Sequence, residues 1–424
     1  MTIDRLERAL VSLRGLAVGD ALGSQFFVPA NRPGLESRSL PPAPWRWTDD
    51  TEMASALVLE LALAGGDLDQ DRLVGRFAGH HDFDRGYGPS TNRFLRLVRE
   101  GADWREELAG LFDGQGSWGN GAAMRVAPLG AYHAGCPQRA AHLAERSATV
   151  THTHPEAVAG AVAVAVAAAA VASGRRSPGQ IIDAVLDQVA EGRVRDGVVR
   201  ARRLLTLSDP RAAAEQLGNG RDVSAQDTVP FTLWAAAKHA GDFEEAVWAT
   251  AAAMKGEGEV GGIDTNCAIV GGIVAAGMEP GTLPTWWDRG TEDLPGWLVI
   301  PPVTRPATAT GRDWKTEPMR RPAPLPPPDR IWAPYEWETI RRGLVPAEME
   351  EKWFAYVEAD RLHLHRSWTG YKIYEAFFQP VDGGLQITEA WIERDRGIYK
   401  GGDDEHETGV LHGMIERLLL GYWC

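Results

Sequence analysis

Apolar residues along this chain follow two different patterns, and the pattern changes near residue 281. Before that point, long apolar runs such as Glu52–Ala64 and Asn266–Ala276 each follow a short polar segment. This arrangement predicts helices that begin at the polar residues and are buried along most of their length. The run Ala157–Ala172 is uncharged and almost entirely Ala and Val. It is short for a membrane span and only weakly apolar, so we expect a central core helix.

After about Tyr335, apolar and polar residues alternate, which is the period of a half-buried strand. The predicted strands are Trp353–Val357, Leu362–His365, Tyr371–Phe377 and Leu385–Ile392. Beyond Asp403, the spacing of Val410, Leu411, Met414 and Ile415 predicts a closing helix. A small antiparallel sheet with one helix is the simplest architecture for this part of the chain.

The sequence therefore predicts an all-α domain over residues 1–281, a connector over residues 282–334 and a small α+β domain over residues 335–424. The connector is rich in proline, most densely at Pro322–Pro328, and an extended conformation is expected there. Ten of the sixteen tryptophans lie at or after Trp286, which supports a second unit with a different core.

The formal net charge is −14, and the acidic excess is spread along the chain. This argues against non-specific nucleic-acid binding, although a local basic groove is compatible with it. The three cysteines, Cys136, Cys267 and Cys424, form no pairing pattern, which favours a reducing compartment. The N-terminus mixes acidic and basic residues and does not resemble a signal peptide. We expect a cytoplasmic protein with no membrane association.

Two short acidic segments, Thr48–Thr51 and Asp264–Thr265, stand at the starts of predicted apolar helices. Hard cations such as Mg²⁺ or Mn²⁺ prefer carboxylate and hydroxyl oxygens. We therefore interpret the two acidic segments as parts of one shared metal site. The alternative is helix capping, and Asp49 with Glu52 fits a capping box.

Three other features have both a functional and a structural interpretation. The turn Gly116–Gly121 enters a helix and could offer backbone N–H groups to a phosphate, or it could be an ordinary turn. His363 and His365 would share one face of a strand as a metal pair requires, or they could be packing residues. Arg366 and Trp368 could stack on a base or be structural.

Several motifs occur in an order that resembles the ADP-ribosylglycohydrolase family, which includes the dinitrogenase-reductase-activating glycohydrolases. Besides the two acidic segments, the motifs are Gly15–Gly23, Gly86–Thr91, Gly119–Pro128, Thr151–Pro155 and Asp227–Pro230. The resemblance spans about residues 8–280. It implies an all-helical domain with a binuclear Mg²⁺ or Mn²⁺ centre at the floor of an ADP-ribose cleft.

The resemblance also implies roles for individual residues. The metal ligands would be Thr48, Asp49, Asp50, Asp264 and Thr265, and the catalytic residues would be Asp49, Asp50 and Asp264. The candidate substrate-binding residues would be Ser117, Gly119, Asn120, Gly121, Met124 and His152. Considered alone, His152 is more typical of a core histidine.

The chain departs from the family pattern at two positions. Phe27 and Gly262 stand where many members have a glutamate and an aspartate, so one or two metal ions are expected. The implied function is removal of ADP-ribose from a modified protein, nucleic acid or small acceptor. The alternatives are an ADP-ribose-binding protein that does not cleave its ligand, and an immunity protein whose partner is an ADP-ribosyltransferase toxin.

Overall fold

The computed structural model describes residues 5–175, 177–253, 262–300, 308–332, 334–346 and 351–420. The chain divides into two compact units, residues 3–301 and residues 302–424. The first is helical, and the second contains an antiparallel sheet with helices. The predicted fold class, an all-α domain followed by a small α+β domain, is confirmed.

The helical unit contains sixteen α-helices in the described residues, together with short 3₁₀ turns. Their bounds are α1 (Arg5–Ser24), α2 (Gly34–Ser37), α3 (Asp49–Leu63), α4 (Gln70–His80), α5 (Pro89–Arg99), α6 (Trp104–Ala109), α7 (Ala127–Tyr132), α8 (Pro137–Ala148), α9 (Pro155–Ala172), α10 (Pro178–Leu186), α11 (Arg193–Arg203), α12 (Pro210–Leu217), α13 (Ala225–Lys238), α14 (Phe243–Ala253), α15 (Ile263–Ala275) and α16 (Thr285–Gly290). The two helices predicted after the acidic segments are α3 and α15.

Helices α1 and α15 form the most extensive contact in the helical unit. Glycines on α1 let the two backbones approach closely. A Cβ atom on Gly19 would lie 2.1 Å from the carbonyl oxygen of Cys267, and one on Gly23 would lie 2.8 Å from the Cα of Asp264. Real side chains do not tolerate such distances, so glycine is required at this crossing. The crossing brings the C-terminal end of α1 next to the start of α15.

Helix α9 is the uncharged segment that the sequence assigns to the core. It is the one described helix long and apolar enough to cross a membrane, and 83% of it is buried within the structure. It packs against α7, α8, α10 and α13. Small side chains on every face allow neighbours on all sides, because alanine and glycine leave room for close helix contacts.

Residues 282–300, which the sequence analysis places in the connector, pack on the helical unit. Trp287 is buried in the main apolar core. The backbone N–H of Trp45 donates to the carbonyl oxygen of Gly290 at 2.7 Å, and Arg14 forms an ion pair with Asp288. These aromatic and polar contacts depend on residues far away in sequence, so the composition change near residue 281 does not coincide with the division between units.

The second unit is built on a six-stranded antiparallel sheet with the order β1-β6-β5-β4-β3, and β2 also pairs with β6. The strands are β1 (Pro322–Leu325), β2 (Ile331–Trp332), β3 (Trp353–Glu358), β4 (Arg361–Arg366), β5 (Lys372–Val381) and β6 (Gly384–Glu393). The helices are α17 (Pro334–Ile340) and α18 (Asp404–Met414). The four strands and the closing helix predicted from the sequence are all present.

The proline-rich part of the predicted connector contributes β1, which pairs with β6 from Pro322 opposite Glu393 to Leu325 opposite Ala390. Proline lacks an N–H donor and is therefore tolerated at a sheet edge, which is where β1 lies. The connector predicted over residues 282–334 thus contributes residues to both units.

His363 and His365 lie on β4 and are both buried. Their rings stack on Tyr356 of β3, with centroid distances of 4.7 and 5.7 Å. Within the described part of the chain, neither histidine belongs to a group of three or more residues that could hold a metal ion. His363 Nδ1 also lies 3.3 Å from Oε2 of Glu375, and His365 Nδ1 lies 2.8 Å from the carbonyl oxygen of Gly370, so both histidines have structural partners within this unit.

We expect Gly19→Ala to destabilise the protein by about 1–3 kcal/mol or more, since α1 and α15 must separate to admit the methyl group. Urea unfolding measures the change. The control is Gly75→Ala on α4, where a Cβ atom would meet nothing within 4 Å. That variant should be neutral or stabilised by about 0.5–1 kcal/mol, because alanine is the better helix former. Equal stability of the two variants would contradict the close packing of α1 on α15.

Candidate active site

The polar residues at the start of α3 do not act as ordinary caps. Thr48 is the N-cap residue, but its side chain makes no capping hydrogen bond. Its Oγ1 instead lies 2.8 Å from Oδ1 of Asp20 and 3.0 Å from Oδ2 of Asp50. The side chain of Glu52 accepts hydrogen bonds from Tyr87 and from the backbone of Asp82, so it does not complete a capping box with Asp49. These contacts favour the metal-site interpretation over capping.

Asp20 on α1 is a site residue that the sequence analysis missed. Its Oδ2 accepts from the backbone N–H groups of Thr48 and Thr51, at 2.9 and 3.2 Å, and from Oγ1 of Thr51 at 2.6 Å. Asp20 therefore fixes the start of α3 against α1. The signal was present, because an aspartate in the motif Gly15–Gly23 interrupts an otherwise apolar buried helix.

Asp20, Asp50 and Asp264 form one buried group, here called the aspartate cluster. One carboxylate oxygen from each lies within 4.8 Å of the others, and no other such group of three occurs in the described residues. Thr265 Oγ1 is 3.4 Å from Asp50 Oδ2. Asp50 Oδ1 is buried and has no hydrogen-bond partner among the described residues. Asp49, predicted as a further ligand, lies outside this group of three.

The electrostatics of the aspartate cluster favour a bound cation. Burial raises the pKa of Asp20 to about 7, and Asp264 adds to the shift, whereas hydrogen bonds from Thr51 and Thr48 oppose it. Burial also raises the pKa of Asp264 to about 6. Burial, followed by repulsion from Asp20 and Asp264, raises the pKa of Asp50 well above its usual value. Three carboxyl groups that resist ionisation become stable anions when a divalent ion lies between them, so the cluster fits a hard cation.

A cavity of about 610 Å³ opens beside the aspartate cluster. All six predicted substrate-binding residues line it, namely Ser117, Gly119, Asn120, Gly121, Met124 and His152. Asp49, Asp264 and Thr265 line it as well, whereas Thr48 and Asp50 do not belong to its walls. The fold thus brings the acidic segments and the glycine turn, which are far apart in sequence, to one cavity.

The glycine turn, Gly116–Gly121, is held against the loop Gly218–Ser224. The backbone N–H of Asn120 donates to the carbonyl oxygen of Val223 at 3.2 Å, and Asn120 Nδ2 donates to Thr228 Oγ1 at 3.0 Å. The Asn120 amide is therefore used to fix the turn. A Cβ atom on Gly121 would lie 2.8 Å from Cε1 of His152, so only glycine fits there.

Several cavity residues carry no assignment from the sequence. Ser90 and Thr91 belong to a motif that was recognised only as part of the family pattern, and both line the cavity. Phe112, Trp118 and Val223 line it too and are 56%, 53% and 57% exposed. Exposed apolar side chains that line a cavity suit a ligand with an apolar face. Sequence periodicity does not reveal them, because they lie on loops.

The family is decided by sequence matches. The model of the family described as ADP-ribosylglycohydrolase matches residues 1–308. The chain belongs to the ADP-ribosylglycohydrolase family.

The matched relatives differ in how much of each chain they share with this one. A protein of Archaeoglobus fulgidus described as uncharacterized is 32% identical over 299 residues, which cover 66% of this chain and 90% of that protein. The ADP-ribosylhydrolase ARH3 of Homo sapiens is 36% identical over 166 residues, which cover 35% of this chain and 45% of the human protein. A solved structure titled ADP-ribosylglycohydrolase-related protein complex covers 68% of this chain and 93% of its own, with 27% identity and a TM-score of 0.47.

The structure shows where the two positions that depart from the family pattern lie. Phe27 is 42% exposed and does not line the cavity. Gly262 lines the cavity and has a φ of +67°, in the left-handed region. A Cβ atom there would lie 2.7 Å from the carbonyl oxygen of Gly220. The local backbone is therefore shaped for glycine, and an aspartate would require a different loop conformation.

We expect the metal-free protein to lose stability as pH rises from about 4 to about 7. The folded-state pKa values of Asp20 and Asp264 are raised, so their favourable contribution is present below the unfolded pKa and is lost as they ionise in the folded state. Thermal unfolding in EDTA at pH 5 and pH 7.5 measures this, and saturating Mg²⁺ should restore stability most at pH 7.5.

The variant Asp50→Asn should reduce both the pH dependence and the gain from Mg²⁺. A matched control is Glu191→Gln, because the Glu191 side chain is 90% exposed and remote from the cluster in sequence and contacts. If Mg²⁺ raises the thermal stability of Asp50→Asn as much as that of the wild type, the aspartate cluster is not the metal site.

We expect Gly262→Asp to destabilise the protein by about 1–3 kcal/mol without adding a metal site, because it introduces a side chain at a positive φ. Gly262→Ala should be destabilised similarly, since the Cβ atom is common to both. Calorimetric titration with Mn²⁺ and urea unfolding measure the two effects. A second tight site in Gly262→Asp would show that the loop accepts the aspartate.

Proposed function

We propose that this protein hydrolyses the bond between C1 of ADP-ribose and a modified protein, nucleic acid or small acceptor, with Mg²⁺ or Mn²⁺ as cofactor. The observation that carries the proposal is the buried aspartate cluster at one side of a cavity whose other walls are glycine backbone and exposed aromatic rings. Acidic residues that bind a cation, together with a backbone turn suited to a diphosphate, match the chemistry of such a ligand.

The aspartate cluster would hold the cation, with Thr48 and Thr265 as further oxygen donors. A divalent ion held there would orient the ribose hydroxyl groups and thereby the geometry at C1. Because Phe27 and Gly262 replace two carboxylates of the family pattern, we propose one tight ion per chain rather than two. Oδ1 of Asp50 is buried and has no hydrogen-bond partner among the described residues, which supports a bound cation at this position.

Asp49 is our candidate for steering the attacking water. Burial, followed by repulsion from Asp264 and Asp20, raises the pKa of Asp49 well above its usual value. A carboxylate with a raised pKa is a better proton acceptor, and C1 develops oxocarbenium character that a nearby carboxylate stabilises. Asp49 lines the cavity, whereas Asp50 does not, which separates their proposed roles.

The motif Gly86–Thr91 forms part of the cavity wall beside Asp49. Tyr87 donates a hydrogen bond to Glu52 at 2.7 Å, and the backbone N–H of Asp82 donates to the same oxygen at 3.0 Å. A Cβ atom on Gly86 would lie 3.9 Å from Oδ1 of Asp49. The bond between Tyr87 and Glu52 thus anchors this loop to the helix that carries Asp49, and would keep Asp49 aligned with the substrate.

The glycine turn and the exposed aromatic residues supply the proposed nucleotide site. Backbone N–H groups of the turn suit a diphosphate, because glycine allows close approach. Phe112 and Trp118 present rings on which a base could stack, and one such contact contributes about 1–3 kcal/mol. The hydroxyl groups of Ser90, Thr91 and Ser117 are polar contacts for ribose.

A second candidate function is binding of ADP-ribose without cleavage. It is favoured by one specific observation, the left-handed glycine at position 262, which stands where the family pattern has an aspartate. An immunity role is a separate alternative, in which the tryptophan-rich C-terminal unit would bind and occlude an ADP-ribosyltransferase toxin.

Incubation of the purified protein with Mg²⁺ and arginine-, serine- and DNA-linked ADP-ribose tests the proposal. We expect release of free ADP-ribose from at least one substrate and none in EDTA. Asp49→Asn should lower the rate by about 10²–10⁴-fold, the usual contribution of a general base, with little change in ADP-ribose affinity. Binding without release would support the second candidate function, and neither binding nor release would overturn both.

A further inference from the structure

Arg125 is completely buried behind the glycine turn. None of the ion pairs between described residues involves it, and burial is the main influence on its pKa, which is lowered to about 9. Its Nη1 donates to the carbonyl oxygen of Gly121 at 3.2 Å, and its Nη2 donates to the carbonyl oxygen of Ser147 at 2.6 Å and to Oγ1 of Thr151 at 2.9 Å. Burying a guanidinium group without a carboxylate partner costs free energy, and hydrogen bonds to neutral acceptors offset only part of that cost.

The hydrogen bond from Arg125 restricts the roles that the Thr151 hydroxyl group can take in its other hydrogen bonds. Arginine can only donate, so the Thr151 hydroxyl oxygen must accept from it. The single hydroxyl hydrogen of Thr151 then has two acceptors within reach, Nδ1 of His152 at 2.8 Å and the carbonyl oxygen of Ala148 at 3.5 Å. The hydroxyl oxygen has a second lone pair and could also accept from an Nδ1–H group, but the hydroxyl hydrogen would then have only the carbonyl oxygen of Ala148, at 3.5 Å, as its acceptor. Because O–H···O hydrogen bonds are usually about 2.5–3.0 Å long, the arrangement in which the hydroxyl group donates to Nδ1 of His152 is favoured.

The neutral imidazole ring then carries its hydrogen on Nε2. Burial, with the charge of Arg125 adding to it, lowers the pKa of His152 to about 3, so the ring is neutral at physiological pH. Its Nε2 faces the glycine turn, because a Cβ atom on Gly121 would lie 2.9 Å from it and one on Gly119 would lie 3.2 Å from it. His152 also lines the cavity.

We propose that Arg125 is a positioning residue that acts through Thr151 to hold His152 as an Nε2–H donor toward an acceptor oxygen of the bound nucleotide. The same guanidinium group holds the carbonyl oxygen of Gly121, so the ring and the turn are fixed relative to each other. The ligand part of this inference rests on the proposed function, whereas the tautomer of His152 does not.

The full-length protein with ¹⁵N-labelled histidine tests the tautomer by long-range ¹H–¹⁵N NMR, with His152→Gln used to assign the signals. We expect wild-type His152 to be neutral at pH 7, with the hydrogen on Nε2 and Nδ1 shifted as a hydrogen-bond acceptor. Thr151→Val removes the hydroxyl group and should give a mixture of tautomers. Thr151→Ser keeps the hydroxyl group and should restore the wild-type spectrum.

Calorimetry with ADP-ribose as the probe tests the consequence for binding. We expect the dissociation constant to rise roughly five- to ten-fold in Thr151→Val, the effect of one hydrogen bond, and to return to the wild-type value in Thr151→Ser. Arg125→Met should resemble Thr151→Val or bind more weakly. If Arg125→Met does not fold, as circular dichroism would show, the two Thr151 variants carry the test.

Two results would overturn the inference. One is a hydrogen on Nδ1 of wild-type His152, and the other is a Thr151→Val protein with the wild-type spectrum and affinity. A wild-type protein that does not bind ADP-ribose would overturn the proposed function instead. The histidine spectrum would still decide whether Arg125 and Thr151 set the tautomer.

Discussion

The site depends on the close crossing of α1 and α15. Glycines on α1, above all Gly19, let the two helices meet backbone to backbone, and no larger residue fits. As a result, Asp20 near the C-terminal end of α1 lies beside Asp264 at the start of α15. Asp20 then accepts hydrogen bonds from Thr48 and Thr51 and fixes the start of α3. One steric requirement therefore assembles acidic residues from three helices.

The assembled carboxylates are unfavourable by themselves, because burial and mutual repulsion oppose their ionisation. A divalent cation bound between them would offset this penalty, so the crossing that organises the fold also forms a group of carboxylates that could hold a metal ion. The cavity beside the aspartate cluster provides the other part of the site. Its glycine turn is fixed from behind by Arg125, and hydrogen bonds from Asn120 tie it to the loop Gly218–Ser224.

Local pattern was sufficient for three helices of the first unit and for the four longest strands and the closing helix of the second. Period-two alternation predicted β3 to β6, and apolar runs predicted α3, α9 and α15, because these signals come from burial of one or more faces of a single element. Local pattern did not predict the contacts of residues 282–334. Trp287 packs in the helical core and Pro322 opens an edge strand, and both facts depend on partners distant in sequence.

The sequence by itself determined the family, the helical class of the first unit, the acidic segments at two helix starts and the residues of the glycine turn. Only the tertiary structure decided which acids meet, since it joined Asp20 to Asp50 and Asp264 and left Asp49 facing the cavity. It also decided the surroundings of His152, whose contacts run through Thr151 to Arg125. The physical reason is that periodicity reports the burial of each residue, whereas distances between side chains depend on how closely the helices cross.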